Sequence, residues 1–220
     1  MTDAPDPDAT ADRPLTRREL RRRRDGRPAA TILTVCTGNI CRSPMAEVLL
    51  RAALEAAGVR VHSAGTHAMV GHGMTEESQE IAIAHGADPE VAAAHRARYL
   101  VEPLLAGSDL VLTMTREQRS HVVQLLPAVL RRTFTVREFA RLAASLSDAE
   151  LRPDPTADPD ARLQALARTV GAQRGLVEGA PQDDDVIDPY RRGREVYEQA
   201  AAQLLPALDE VERAVRLALR

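Results

Sequence analysis

The chain has 220 residues, 44% hydrophobic and 28% charged, which is enough length and apolar content for one packed domain with extensions. A formal net charge of -3 gives no general polyanion-binding signal, and two cysteines cannot build a disulfide framework. No apolar run approaches the ~20 residues that span a bilayer, and the Asp- and Pro-rich start has no signal-peptide pattern, so a cytoplasmic protein with no nucleic-acid partner and no membrane span is expected.

Residues 1–29 carry Pro, Asp and Arg with little apolar content and read as a disordered charged tail, which leaves 30–220 as the folded domain. The basic block within it, TRRELRRRR at 16–24, lacks interleaved aromatics and an apolar face. A solvated arm is therefore preferred over a lipid or nucleic-acid contact. From residue 31 onward, strand and helix patterns alternate. TILTV (31–35) is β-rich, and SPMAEVLLRAALEAAG (43–58) is helical and ends on Gly58. VRVHS (59–63) is a second strand, TEESQEIAIAHG (75–86) a helix, and DLVLTM (109–114) a continuous apolar strand of the kind buried on both faces. TREQRSHVVQLL (115–126) is a helix stopped by Pro127, TFTVREF (133–139) reads as a fourth strand, and 191–219 is a long amphipathic helix. Strands separated by helices predict a doubly wound, four-stranded parallel sheet with helices on both faces, a three-layer α/β/α fold. The Pro- and Asp-rich segment 145–184, with a helical piece at 161–169, reads as a surface excursion before the last helix.

The chemistry concentrates in one turn. Both cysteines, Cys36 and Cys41, and the only asparagine, Asn39, lie between the first strand and the first helix. In an open α/β sheet, ligands bind at the carboxyl ends of the strands, where Cys36 stands. Ser43 and Pro44 predict a helix start, as N-cap and first helical residue. A loop curled over that N-terminus aims backbone N–H groups at one spot, which makes an anion site and stabilises a thiolate. Arg42, six positions after Cys36, can grip two phosphate oxygens with its planar guanidinium. Nucleophile, oxygen cradle and cation together point to attack on a phosphate ester and a phosphocysteine intermediate. With 29 basic side chains in the chain, an arginine at that offset is weak by itself; its place between a buried strand and a helix start gives it weight.

The run Cys36-Thr37-Gly38-Asn39-Ile40-Cys41-Arg42-Ser43-Pro44-Met45-Ala46-Glu47 resembles the phosphate loop of the low-molecular-weight protein tyrosine phosphatases. Ser63-Ala64-Gly65-Thr66, His95-Arg96-Ala97-Arg98 and Asp188-Pro189-Tyr190 match further family motifs in order. The resemblance covers the chain from residue 31 onward apart from the excursion, and it implies the flavodoxin-like phosphatase fold. It also implies that Cys36 is the nucleophile, that Arg42 and the loop from Thr37 through Gly38, Ile40 and Cys41 bind phosphate, and that Ser43 hydrogen-bonds the thiolate. Asn39 is implied to take a left-handed backbone with its amide held by Ser43, Ser63 and His95. Asp188 is implied as the general acid, with Pro189 and Tyr190 shaping the loop and the substrate entrance.

The nearest metal alternatives are weak. Asp183-Asp184-Asp185 lacks hard-cation loop spacing, and nothing places His62, His67 and His72 on one face, so no metal and no cofactor are expected. Cys41 reads equally as a small buried residue or as a redox partner of Cys36. The segment 67–74 has no aromatic, Arg191 follows Tyr190 where the family often has a second aromatic, and Thr115 stands where many members carry Asp. Ile40 resembles the tyrosine-phosphatase branch, whereas Thr there leans toward phosphoarginine. The expected partner is a phosphotyrosine protein, a bacterial tyrosine kinase being one candidate. Arsenate reduction on the same scaffold would need an external thiol, and a binding module without turnover would not need Cys36, Arg42 and Asp188 together.

Overall fold

The apolar run that opens the domain is a central strand. A computed structural model describes residues 30–220; the tail reading for 1–29, with its basic block, lies outside the described residues. Strand β1 (Ala30–Cys36) is buried along its whole length. Strands β2 (Val59–Gly65), β3 (Leu110–Thr113) and β4 (Thr133–Thr135) complete a parallel sheet in the order β2-β1-β3-β4. The chain moves outward on one side of β1 and then returns to the other, so Cys36 ends its strand at the point where the winding reverses.

Eight helices cover the sheet among the described residues: α1 (Arg42–Leu54), α2 (Glu76–Ala84), α3 (Pro89–Ala94), α4 (Glu102–Ala106), α5 (Arg116–Leu125), α6 (Val136–Ala144), α7 (Pro159–Gly171) and α8 (Arg194–Leu219). The period-2 alternation of the strands separates two cores. Ile32, Leu110, Leu112 and Phe134 pack with Leu50 of α1, Phe139 of α6, Leu163 of α7 and Leu204 of α8. On the other face Leu33, Val35 and Val111 pack with Leu105 of α4 and Val122 of α5. This is the expected three-layer α/β/α sandwich.

Three local expectations are corrected. The run 133–139 is strand only as far as Thr135, whose Oγ1 accepts from Glu138 N–H at 3.0 Å while Glu138 Oε2 accepts from Thr135 N–H at 3.2 Å. That reciprocal capping box starts a helix inside an apolar run that also suits a strand. Helices α3 and α4 were not expected; Asp88, with Oδ1 accepting from Glu90 N–H at 2.8 Å ahead of Pro89, is the start signal of the first. The segment 145–184 is no mere surface excursion. Its helix α7 buries Leu163, Leu166, Ala167 and Val170, a stripe at i, i+3, i+4 and i+7. Gln164 also donates to Asp109 Oδ1 at 2.6 Å, while Asp109 Oδ2 accepts from Thr31 N–H at 3.0 Å, which ties the helix to the sheet.

Candidate active site

The loop between β1 and α1 is shaped from outside through its own carbonyls. Cys36 O accepts from Thr66 N–H at 3.0 Å, Thr37 O from His67 N–H at 3.0 Å, and Gly38 O from Met69 N–H at 2.9 Å. Asn39 O pairs with His95 Nε2 at 2.8 Å and Ile40 O accepts from Thr75 N–H at 2.9 Å. In a planar trans peptide the following N–H points opposite to the carbonyl, so five outward carbonyls turn five consecutive amides toward the loop centre. The amide of Asn39 reaches Cys36 Sγ at 3.2 Å, and Ser43 Oγ–H donates to the same sulfur at 3.0 Å. The sulfur therefore sits at the bottom of a ring of donors at a helix N-terminus.

This closeness needs Gly65. A Cβ there would lie 2.5 Å from Thr37 O, so any side chain would push the connection after β2 off the loop. Asn39 has φ 56°, the left-handed conformation that a short amide tolerates. Its Nδ2 donates to Ser43 Oγ at 3.0 Å and Ser63 Oγ at 2.7 Å, while its Oδ1 accepts from Arg98 N–H at 2.9 Å. His95 thus holds the backbone of Asn39 and not, as expected, its side chain; the third partner of the amide is Arg98. The sequence signal for Arg98 was its place in the His95-Arg96-Ala97-Arg98 motif, but a backbone N–H carries no mark of residue type.

Helix α1 begins at Arg42 with Cys41 as its N-cap and no side-chain cap, so Ser43, expected as N-cap, and Pro44, expected as first helical residue, each stand two positions inside the helix relative to those roles. The Ser43 hydroxyl donates to the Cys36 sulfur while its oxygen accepts from Asn39 Nδ2, so the side chain is turned to the loop and not to the helix end. Beneath the loop, Glu47 is buried and accepts from Ser63 Oγ at 2.5 Å, with His95 Nδ1 at 3.6 Å. Burial alone would push its carboxyl up; the bonds from His95 and Ser63 and the charge of Arg98 outweigh this and hold it below the ordinary range. Glu47 was quoted in the motif without a role and is the anchor of the loop's supporting network.

Arg42 is buried, with Nη1 donating to Val186 O at 2.9 Å and Nη2 2.8 Å from Asp188 Oδ2. Asp188 follows a segment pinned by Arg116, which holds Asp185 through Nη2–Oδ2 at 2.9 Å and its own backbone N–H at 2.8 Å. Asp185 is thus an ion-pair partner, as is Asp184, which accepts from Arg141 Nη2 at 3.1 Å. A cleft of about 140 Å³ opens over the sulfur, lined by Cys36, Thr37, Gly38, Ile40, Cys41, Arg42, His67, Met69, Asp188 and Tyr190. His67 and Met69 line this cleft together with Tyr190. Cys41 is buried, its Sγ 3.8 Å from Tyr197 Oη and 3.6 Å from Thr75 Oγ1, and burial pushes its thiol up. His62 is buried on β2, whereas His67 and His72 are exposed in the connection that follows. The arrangement offers a nucleophile, an oxyanion cradle, a cation and a carboxyl around a single small volume.

The sequence model of the low molecular weight phosphotyrosine protein phosphatases matches residues 31–173, well over half the chain and ending before Asp188. The low molecular weight protein-tyrosine-phosphatase Etp of Escherichia coli (strain K12) is 41% identical over 103 residues, which cover 47% of this chain and 66% of Etp. A protein-arginine-phosphatase of Bacillus subtilis (strain 168) is 34% identical over 110 residues, covering 49% of this chain and 71% of that protein. The crystal structure of the Erwinia amylovora tyrosine phosphatase AmsI superposes with a TM-score of 0.58 at 26% identity, over 83% of this chain and 90% of that one. The chain belongs to the low-molecular-weight phosphotyrosine protein phosphatase family.

Proposed function

We propose that the protein is a cysteine-dependent phosphatase that hydrolyses phosphotyrosine in proteins. The observation that carries this reading is the paired donation to Cys36 Sγ, from Asn39 N–H and the Ser43 hydroxyl, beneath five inward amides with Arg42 and Asp188 at the mouth. The thiolate attacks phosphorus while the amides and the Arg42 guanidinium take the charge that builds on the three non-bridging oxygens. As the bond from phosphorus to the tyrosyl oxygen breaks, Asp188 gives that oxygen a proton, leaving tyrosine and a phosphocysteine. Water then attacks phosphorus, Asp188 takes its proton, the S–P bond breaks, and Ser43 stabilises the returning thiolate. Thr37, Gly38, Ile40 and Cys41 form the cradle and walls, Tyr190 the rim, and Ser63 and His95 the support.

Two observations bear on the substrate. Ile40, Met69 and Tyr190 give the small cleft apolar walls that suit an aryl ring. Phosphoarginine is the second reading, because a relative at 34% identity carries that activity in its name. Purified protein should hydrolyse p-nitrophenyl phosphate and favour phosphotyrosine over phosphoarginine peptides in kcat/KM, and Cys36→Ser should abolish both activities. Faster turnover of phosphoarginine would reverse the substrate assignment, and a Cys36→Ser variant within tenfold of wild type would remove the mechanism.

A further inference from the structure

We propose that the groove between the loop after β2 and the first turns of α5 is a substrate subsite that takes a basic side chain, arginine or lysine, beside the phosphorylated residue. This rests on the phosphatase reading of the neighbouring cleft. That cleft, at about 140 Å³, has room for the phosphate and the side chain that carries it, so the flanking residues of a protein substrate must lie along its rim. A second groove of about 230 Å³ shares Thr37 and His67 with the cleft and so lies beside it.

The walls of this groove are polar throughout, and Glu117 supplies its one carboxylate. Glu117 is exposed and makes no ion pair among the described residues. The basic neighbours on its own helix are committed elsewhere: Arg116 holds Asp185, while Arg119 donates to Thr133 O at 3.1 Å and lies 3.8 Å from Glu138. The helix therefore presents to the groove a carboxylate with no ion-pair partner among the described residues. His121 lines the groove near Glu117 and sets its ring edge-on to His67, with centroids 5.7 Å apart, so the groove carries two imidazoles, either of which is a planar partner for a guanidinium. Across the cleft the charge is opposite, because Arg191 lies over the Tyr190 ring at 5.1 Å. Charge thus changes sign across the mouth, and the α5 side attracts a basic residue and repels an acidic one.

The test is binding of fluorescent phosphotyrosine peptides to Cys36→Ser protein near neutral pH, with Arg, Ala or Glu placed in turn at the residues on either side. An exposed ion pair shifts an equilibrium by ~1.5–5-fold. Arg should therefore bind about fivefold tighter than Glu at one flanking position, and high salt should shrink the difference. Glu117→Arg should reverse the order. Equal affinity for all flanks, a preference unchanged by Glu117→Arg, or no binding of any phosphopeptide would each overturn the subsite. Wild-type turnover of p-nitrophenyl phosphate is measured in parallel: its absence defeats the phosphatase reading, whereas turnover with flank-blind binding defeats the subsite alone.

Discussion

Arg42 Nη2 lies 2.8 Å from Asp188 Oδ2, so the cation that would grip phosphate and the carboxyl that would protonate the leaving group meet across the mouth of the loop. The Asp188 side chain is 54% exposed, and a pair open to water on one side is worth only ~0.2–1 kcal/mol. An incoming phosphate competes for the same guanidinium. On the proposed mechanism, binding of the phosphate would free Asp188 toward the leaving oxygen, which would couple the two halves of the chemistry.

Asp188→Asn separates those roles. It removes the transferable proton, and general acid catalysis typically supplies ~10²–10⁴-fold. The loss in kcat should be largest for alkyl and tyrosine phosphates, whose leaving oxygens are basic, and smaller for a nitrophenolate that departs unaided. Inorganic phosphate should bind the variant as an inhibitor ~2–5-fold more tightly, because the guanidinium is no longer paired. A uniform rate loss across leaving groups would move the acid to another residue.

Asn39 combines a left-handed backbone with a fully engaged amide, and two substitutions divide these contributions. Asn39→Gly keeps the conformation and strands the Arg98 N–H, a buried-donor cost of ~1–3 kcal/mol. Asn39→Ala adds the left-handed penalty of ~1–2 kcal/mol. Urea denaturation should rank wild type above Gly and Gly above Ala, and both variants should lose phosphate affinity. An Ala variant as stable as the Gly variant would show that the loop relaxes its backbone.

The sheet and the site loop were legible because each rests on local pattern, a buried apolar run and a clustered Cys-Asn-Arg turn, whereas the left-handed asparagine was legible only through the family resemblance. What escaped depends on partners distant in sequence. The role of Glu47 needs Ser63 and His95, and that of Arg98 uses only its backbone. The start of α1 differs because the Ser43 hydroxyl that suits a cap is held in the loop, donating to sulfur and accepting from Asn39, which periodicity cannot weigh. Helix α7 was underread for another reason. The Pro and Asp flanking it signalled surface, although Leu163, Leu166, Ala167 and Val170 already spelled an apolar stripe.

Cys41 lines the same cleft as Cys36, and its buried thiol is pushed up. If peroxide converts Cys36 to the sulfenic acid, attack by Cys41 sulfur gives a disulfide and water, a form that dithiothreitol restores. Wild-type protein should recover most of its activity after a brief peroxide pulse, with protection improving as pH rises and the Cys41 thiolate becomes available. Cys41→Ser should instead drift to sulfinic acid and stay inactive. Equal recovery of the two proteins would leave Cys41 a packing residue.

His62 provides a pH test of the fold that does not involve the site chemistry. Burial, reinforced by the charge of Arg98, pushes its imidazole down from 6.5 to about 4. The folded state therefore binds fewer protons than the unfolded chain between those values. The contribution is complete above pH 6.5 and is lost progressively as the pH falls toward about 4, with an upper size of roughly 3 kcal/mol. His62→Leu removes the titration without orphaning its neighbour, because Ser108 Oγ–H still donates to Leu104 O at 2.7 Å. Urea denaturation at ~pH 7.5 and ~pH 5 should show wild type losing stability between the two, with a flatter dependence in His62→Leu. The same slope in both proteins would assign the acid sensitivity between these pH values to groups other than His62.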